Sequence, residues 1–166
     1  MIYVLSYPTF KETLGRIESH KLNNFDAQDM CVICINDTIV PGFESDHPYF
    51  KTDFDNVLQL YFDDVTEDFE VPIMGRDTTH TVKAMTTEQA YNIINFVSKM
   101  IEIGKTKNVL IHCRAGISRS GAVGSFLTNL LNIPYTEFKR YNPQILPNPH
   151  VLSTLNRLYR SNNFNN

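Results

Sequence analysis

One stretch of this 166-residue chain, from Val109 to Ser120, limits its possible folds more than any other. It opens with the apolar run Val-Leu-Ile, which is typical of a buried strand, and continues through a loop, Cys113 to Arg119, into a helical pattern. In such a layout the loop's backbone N–H groups and the positive end of the helix dipole converge on one point. The stretch therefore predicts an anion cradle at the carboxyl end of a strand.

Strand and helix patterns alternate along the rest of the chain. Four short runs rich in β-branched or aromatic residues predict strands at Ile2–Leu5, Cys31–Ile35, Val57–Phe62 and Val109–His112. Helical periodicity predicts helices after Thr9, between Thr86 and Gly104 with a Thr86/Gln89 capping box, from Arg119 to Pro134, and from His150 to Arg160. This order predicts an α/β fold with a central, mostly parallel sheet of four to five strands flanked by helices.

Composition and charge narrow the class of protein. With 42% hydrophobic residues, we predict a single domain over residues 1–160 and a polar tail over 161–166. A net charge of −3 gives no basic footprint for nucleic acid or an anionic membrane. No signal-peptide or membrane-span pattern is present in the sequence, so we expect a cytoplasmic protein, and we expect a monomer.

Cys113 and Arg119 are the residues that carry chemistry. Inward N–H groups, the helix dipole and the guanidinium all favour a thiolate at Cys113, and the planar fork of Arg119 can bind two phosphate oxygens at once. The phosphate-binding set is expected to be Arg114, Ala115, Gly116, Ile117, Ser118 and Ser120. The alternative is an ordinary buried cysteine at a strand end, which the surrounding strand, glycine and helix disfavour.

The segment His112 to Ser120, HCRAGISRS, resembles the His-Cys-x5-Arg-Ser/Thr signature of the cysteine-based tyrosine and dual-specificity phosphatases. The resemblance implies that Cys113 forms a phosphocysteine intermediate and that Arg119 binds phosphate and stabilises the transition state. It implies that Ser120 assists hydrolysis and thiolate stability, and that His112 orders the loop. An ordinary buried histidine is the alternative interpretation of His112. A downstream Pro147-Asn148 pair matches a further element of the family. No cofactor and no metal are expected.

A general acid must protonate the leaving group, and the family places an aspartate after an earlier strand. The strand at Val57–Phe62 runs straight into Asp63 and Asp64, and we predict Asp64 as the acid with Asp63 second. Asp64 precedes Cys113 by more residues than is usual in the family, so the segment between them must carry an insertion. Asp77 has the more typical separation and is the rival candidate. Most other carboxylates from Asp63 to Glu70 are expected to be solvated.

Two further features receive structural interpretations. Cys31 and Cys34 lie in one apolar strand, where alternation places them on opposite faces, so they are predicted to pack in the core and not to share a metal. The region from Thr38 to Asp55 is predicted to be a long surface loop with no assigned role, and the border of the substrate cleft is a candidate position for it.

The leading functional hypothesis is hydrolysis of phosphotyrosine, with phosphoserine and phosphothreonine as further candidates, on a phosphorylated protein or peptide. One alternative is a non-protein substrate, such as a phosphoinositide or an RNA 5′ phosphate. Lipid-directed relatives carry extra lysines in the loop, whereas this loop has Ala115 and Ile117 beside Arg114. A catalytically inactive phosphate-binding module is the second alternative.

Overall fold

A computed structural model describes residues 1–21, 29–38, 49–50 and 53–163 of the chain. The elements in chain order are β1 (Ile2–Ser6), α1 (Tyr7–Lys21), β2 (Met30–Asn36), β3 (Val57–Tyr61), β4 (Phe69–Pro72), β5 (Thr79–Val82), α2 (Thr87–Glu102), β6 (Asn108–Cys113), α3 (Arg119–Leu130), α4 (Tyr135–Tyr141) and α5 (Pro149–Asn163). Strands and helices alternate as the sequence pattern predicts.

The main sheet has four strands in the order β1-β6-β2-β3, and every pairing in it is parallel. The strand that ends at Cys113 is an interior strand, with Ser6 of β1 opposite Cys113 and Cys34 of β2 opposite His112. Parallel strands end at one edge of the sheet, which is where α/β folds bind ligands. The predicted mostly parallel sheet flanked by helices is confirmed.

The two faces of the sheet are covered by separate apolar clusters. One face packs against α2, α3 and α5, and its cluster includes Cys31, Ile111 and Phe126. The other face packs against α1 and includes Cys34 and Phe10. The predicted placement of the two strand cysteines on opposite faces is therefore confirmed. Burying each large apolar side chain contributes about 1.5–3 kcal/mol, so both layers hold the sheet in place.

Helix boundaries follow local capping. The predicted capping box at the start of α2 is present, with the Thr86 hydroxyl accepting from Gln89 N and the Gln89 side chain accepting from Thr86 N. The helix predicted after Thr9 begins earlier, at Tyr7, because the Ser6 hydroxyl accepts from the Thr9 N–H at 3.3 Å and Pro8 suits a first turn.

Two other parts of the fold differ from the sequence-based expectation. The helix predicted to run to Pro134 ends at Leu130, and a separate helix, α4, follows Pro134. The segment between Asp64 and Thr86, in which no strand was predicted, contains the antiparallel hairpin β4–β5. This hairpin lies between Asp64 and Cys113, the segment in which the position of Asp64 predicts an insertion. It escapes the strand pattern because its two strands have only four residues each and none of these residues is buried.

At the carboxyl end, α5 continues to Asn163, beyond the predicted start of the polar tail, and residues 164–166 lie outside the described part. Most of the surface loop predicted from Thr38 to Asp55, namely residues 39–48 and 51–52, lies outside the described residues as well. None of the helices in the described ranges combines the length and the hydropathy that crossing a membrane requires.

Candidate active site

Cys113 lies on the floor of the loop that joins β6 to α3. Its side chain is buried, with 2% of the residue exposed, and its Sγ lies 2.9 Å from the Ser120 Oγ in the first turn of α3. The Ser120 hydroxyl is therefore placed to donate a hydrogen bond to a thiolate, as the resemblance implies.

The loop carbonyls show which way its amides point. The carbonyl oxygens of residues 114, 116, 117 and 118 each accept a hydrogen bond from a group outside the loop. Those donors are Tyr7 N at 3.1 Å, Gln144 Nε2 at 3.3 Å, Leu146 N at 3.1 Å and Asn148 N at 3.2 Å. In a planar trans peptide the N–H of the next residue points opposite to the C=O. The N–H groups of residues 115, 117, 118 and 119 therefore face away from these donors, as an anion cradle requires.

Gly116 occupies a conformation and a space that only glycine fits. Its φ is +68°, in the left-handed region, and an added Cβ would lie 2.5 Å from Leu5 C and 2.7 Å from Leu5 O. Close packing of the loop against the end of β1 thus depends on this residue.

Arg119 is buried, with 4% exposed, and two of its three guanidinium nitrogens have partners. Nη1 donates to the Phe62 carbonyl at 2.7 Å, and Nη2 lies 2.6 Å from Asp37 Oδ1. Nε is buried and has no hydrogen-bond partner among the described residues. A buried unpaired N–H on a cation is costly, and a phosphate oxygen in the loop would satisfy it.

Asp37 is a site residue that the sequence analysis missed. It follows β2 directly and also lies 3.5 Å from the Arg114 guanidinium, so one carboxylate faces two arginines. The signal available was its position after a strand, because β2 is the parallel neighbour of β6 and both end at the same edge. Strand order, however, is not visible in the sequence.

His112 is buried against α1, with its ring centroid 4.1 Å from that of Phe10 and 5.4 Å from that of Tyr7. Burial disfavours the imidazolium and lowers the pKa of His112 to about 4, an effect that the Arg119 charge strengthens and the Cys113 backbone partly offsets. A neutral ring packed this way supports the strand end from which the loop starts.

Asp64 is brought to the loop. Its Oδ1 accepts from the Ser118 hydroxyl at 2.7 Å and from Asn148 Nδ2 at 2.9 Å, and the residue itself is exposed. Asn148, from the predicted Pro147-Asn148 element, also accepts from Val151 N at 3.1 Å and thereby ties α5 to the acid. The geometry places the first-choice acid candidate beside the cradle.

The other two acid candidates are placed differently. Asp63 accepts from the backbone N–H groups of Thr38 and Lys83, at 3.0 and 2.9 Å, so its carboxylate points towards them. Asp77 is exposed in the turn between β4 and β5, and the structure gives it no contact with the loop among the described residues.

The described residues include no group of three or more histidine, cysteine, aspartate or glutamate side chains arranged to hold a metal ion. Burial raises the pKa of Cys31 to about 12 and also raises that of Cys34. Both thiols therefore stay protonated in the core, in keeping with a packing role.

Comparison with known proteins places the fold. No family model and no curated protein matches the chain. Among solved structures, it is similar to human tyrosine phosphatase-like serine/threonine/tyrosine-interacting protein, at 18% identity and TM-score 0.57, covering 98% of this chain and 93% of that one. It is also similar to the PTP-2 phosphatase of Cydia pomonella, at 18% identity and TM-score 0.54, covering 93% and 83%.

A third similar structure is PTPMT1 in complex with PI(5)P, at 15% identity and TM-score 0.50, covering 90% of this chain and 85% of that one. These proteins share one architecture, and the match spans nearly the whole of the chain described here. The fold that the resemblance in HCRAGISRS implies is thus confirmed. The chain has the α/β fold of the tyrosine and dual-specificity phosphatases.

Proposed function

We propose that this chain is a phosphoprotein phosphatase that hydrolyses phosphotyrosine esters through a phosphocysteine on Cys113. The observation that carries the proposal is the loop itself. Four loop carbonyls accept hydrogen bonds from groups outside the loop, so the loop amides face away from those donors. The Cys113 sulfur lies on the floor of the loop, and the Arg119 Nε lacks a partner among the described residues. Sulfur, inward amides and a guanidinium fork suit in-line attack on a phosphate monoester.

In the proposed reaction, the Cys113 thiolate attacks phosphorus while Asp64 gives its proton to the leaving oxygen. The bond from phosphorus to that oxygen breaks as the bond to sulfur forms. Water then attacks the phosphocysteine, Asp64 as carboxylate takes a proton from it, and the thiolate and inorganic phosphate are released. Arg119 and the loop amides stabilise the charge on the equatorial oxygens throughout.

The rim of the loop favours an aryl substrate. Ile117, 38% exposed, and Leu146, 75% exposed, are neighbours through the bond from Leu146 N to the Ile117 carbonyl. A tyrosine ring attached to the bound phosphate would bury this apolar surface, whereas a polar inositol headgroup would not. Asp37 also offsets part of the positive charge of Arg114 and Arg119, which leaves less positive charge to bind a substrate with several phosphates.

The fold by itself does not choose the substrate, since the similar structures include a phosphatase-like interacting protein and a protein bound to PI(5)P. Turnover of a phosphotyrosine peptide, a phosphoserine peptide and PI(5)P in vesicles separates the possibilities. We expect the phosphotyrosine peptide to be the best substrate. A preference for PI(5)P would show that the substrate is a lipid and not a phosphoprotein. Phosphate binding without turnover would indicate an inactive module.

The roles are tested by aryl phosphate turnover across pH. Cys113→Ser is expected to abolish turnover, and Asp64→Asn to lower it about 10²- to 10⁴-fold and to remove the fall in rate that accompanies deprotonation of the acid. Asp77→Asn is the matched control, because Asp77 is an exposed aspartate of the same insertion. If Asp77→Asn removes that limb and Asp64→Asn does not, the acid assignment is wrong. A chelator is expected to leave the rate unchanged.

A further inference from the structure

Three consecutive residues after β3 contact three different parts of the site. The Phe62 carbonyl accepts from Arg119, and the Asp64 carboxylate accepts from Ser118. Between them, the side chain of Asp63 bonds the end of β2, since Oδ1 accepts from Thr38 N at 3.0 Å and Oδ2 accepts from the Thr38 hydroxyl. The residue beside the candidate acid is therefore fixed to a strand end next to β6.

Asp63 also closes the base of the insertion. Its N–H donates to the Lys83 carbonyl at 2.7 Å, and its Oδ2 accepts from Lys83 N at 2.9 Å. Asp63 and Lys83 are thus joined by two hydrogen bonds. The segment between them holds Asp64 and the β4–β5 hairpin. Closing a flexible segment reduces the conformations available to the residues within it, and Asp64 is the first of them.

The Thr38 hydroxyl links the hairpin to the same pair. Its single hydrogen goes to Asp63, so the contact with His80 Nε2 at 3.1 Å has the ring N–H as donor and the hydroxyl oxygen as acceptor. The end of β2, strand β5 and the acid-bearing segment are joined in one hydrogen-bonded chain. Both carboxylate oxygens of Asp63 accept hydrogen bonds within this network, so Asp63 is not placed to donate a proton to a substrate.

We propose that Asp63 is a positioning residue, which holds Asp64 over the loop by joining the base of the insertion to the end of β2. The inference rests on the proposed function, since it concerns the general acid of that reaction. A general acid works only within hydrogen-bond reach of the leaving oxygen, and a misplacement of about 1 Å can cost 10²-fold in rate. Loss of the Asp63 bonds therefore affects the proton transfer and spares the attack by Cys113.

Two substrates separate these steps. Phenyl phosphate has a leaving group with a pKa of about 10 that needs a proton, whereas dinitrophenyl phosphate releases a stable phenolate without one. We expect Asp63→Ala to lower kcat/KM for phenyl phosphate about 10- to 100-fold and to leave kcat/KM for dinitrophenyl phosphate within about twofold. The ratio kcat/KM is compared because it reports phosphoryl transfer to Cys113 and not the later hydrolysis, in which Asp64 acts on both substrates alike. Asp64→Asn should give the same pattern with a larger factor.

Thr38→Val removes one hydroxyl and keeps the Thr38 N–H, so it gives a milder loss of the same kind and tests the idea should Asp63→Ala not fold. Glu70→Ala is the matched control, because Glu70 is an exposed carboxylate of the same insertion that also accepts from a threonine hydroxyl, that of Thr81. It is expected to leave both rates unchanged.

The outcomes are distinct. If Asp63→Ala and Thr38→Val lower both rates by the same factor, or lower neither, Asp63 does not position the acid. If the wild-type chain turns over neither substrate, the proposed function fails, and the positioning role fails with it. Turnover of both substrates by the wild type, with a selective loss for phenyl phosphate in the variants, supports the inference.

Discussion

Replacing Gly116 by alanine tests the loop geometry, and Gly104 provides a matched control. Both glycines have a left-handed backbone, with φ of +68° and +72°, but an added Cβ meets no atom within 4 Å at Gly104. At Gly116 it would lie 2.5 Å from Leu5 C and 2.7 Å from Leu5 O, about 1 Å inside van der Waals contact. The two substitutions thus share the backbone strain and differ in the clash.

The magnitudes follow from these two terms. Left-handed strain costs about 1–2 kcal/mol and is partly offset by about 0.4–1 kcal/mol, because alanine restricts the unfolded chain. Gly104→Ala should therefore lower the free energy of unfolding by about 1 kcal/mol. Gly116→Ala adds an overpacking cost of about 1–3 kcal/mol against β1 backbone that is bonded to β6, for a total of about 2–4 kcal/mol.

Activity should separate the two variants further. Relieving the clash moves the loop away from β1 by about 1 Å, so we expect kcat/KM for an aryl phosphate to fall about 10²-fold in Gly116→Ala and to stay unchanged in Gly104→Ala. Urea unfolding and aryl phosphate kinetics measure the two effects. Equal unfolding free energies for the variants, with wild-type kinetics in Gly116→Ala, would refute the assigned packing of the loop against β1.

Three further predictions concern the surroundings of the site. The pKa of His112 is lowered to about 4, so between about pH 6.5 and 4 the unfolded chain binds a proton that the folded chain does not. As the pH is lowered through this window, the unfolding free energy should fall by roughly 3 kcal/mol. In urea titrations, His112→Gln should weaken this pH dependence. Asp37→Ala leaves the buried Arg119 cation without its carboxylate and should lower the unfolding free energy by about 2–3 kcal/mol. Added inorganic phosphate should restore part of this loss. An unchanged urea midpoint would contradict a stabilising role of the ion pair. Peroxide should modify Cys113 and leave Cys31 reduced, because burial raises the pKa of Cys31 to about 12; peptide mass mapping that finds Cys31 oxidised first would contradict this.

The elements that the sequence predicted are those with an internal pattern. The four parallel strands have apolar runs, and α2 has both periodicity and a Thr86/Gln89 capping box. The loop from Cys113 to Arg119 was predicted because its spacing, glycine and flanking elements agree. Each of these signals lies within a few consecutive residues.

The site contacts that escaped prediction depend on which strands become neighbours. The ion pair of Arg119 with Asp37 forms because β2 lies beside β6, an arrangement that no local pattern encodes. The β4–β5 hairpin escaped for a different reason, since its strands have four residues each with none buried and are too short for a clear periodic pattern. The distinct surroundings of Asp63 and Asp64 likewise require the positions of Thr38, Lys83 and Ser118, which are distant along the chain.

The groups of the site are held in place by different means. Cys113 ends an interior strand with a hydrogen-bonded neighbour on each side, and Arg119 is buried between the ends of β2 and β3. Asp64 is exposed, and its carboxylate is held through the side chains of Ser118 and Asn148. A strand ladder resists local opening more than exposed side-chain bonds do. It follows that mild destabilisation should impair protonation of the leaving group before it impairs phosphate binding or attack by the thiolate.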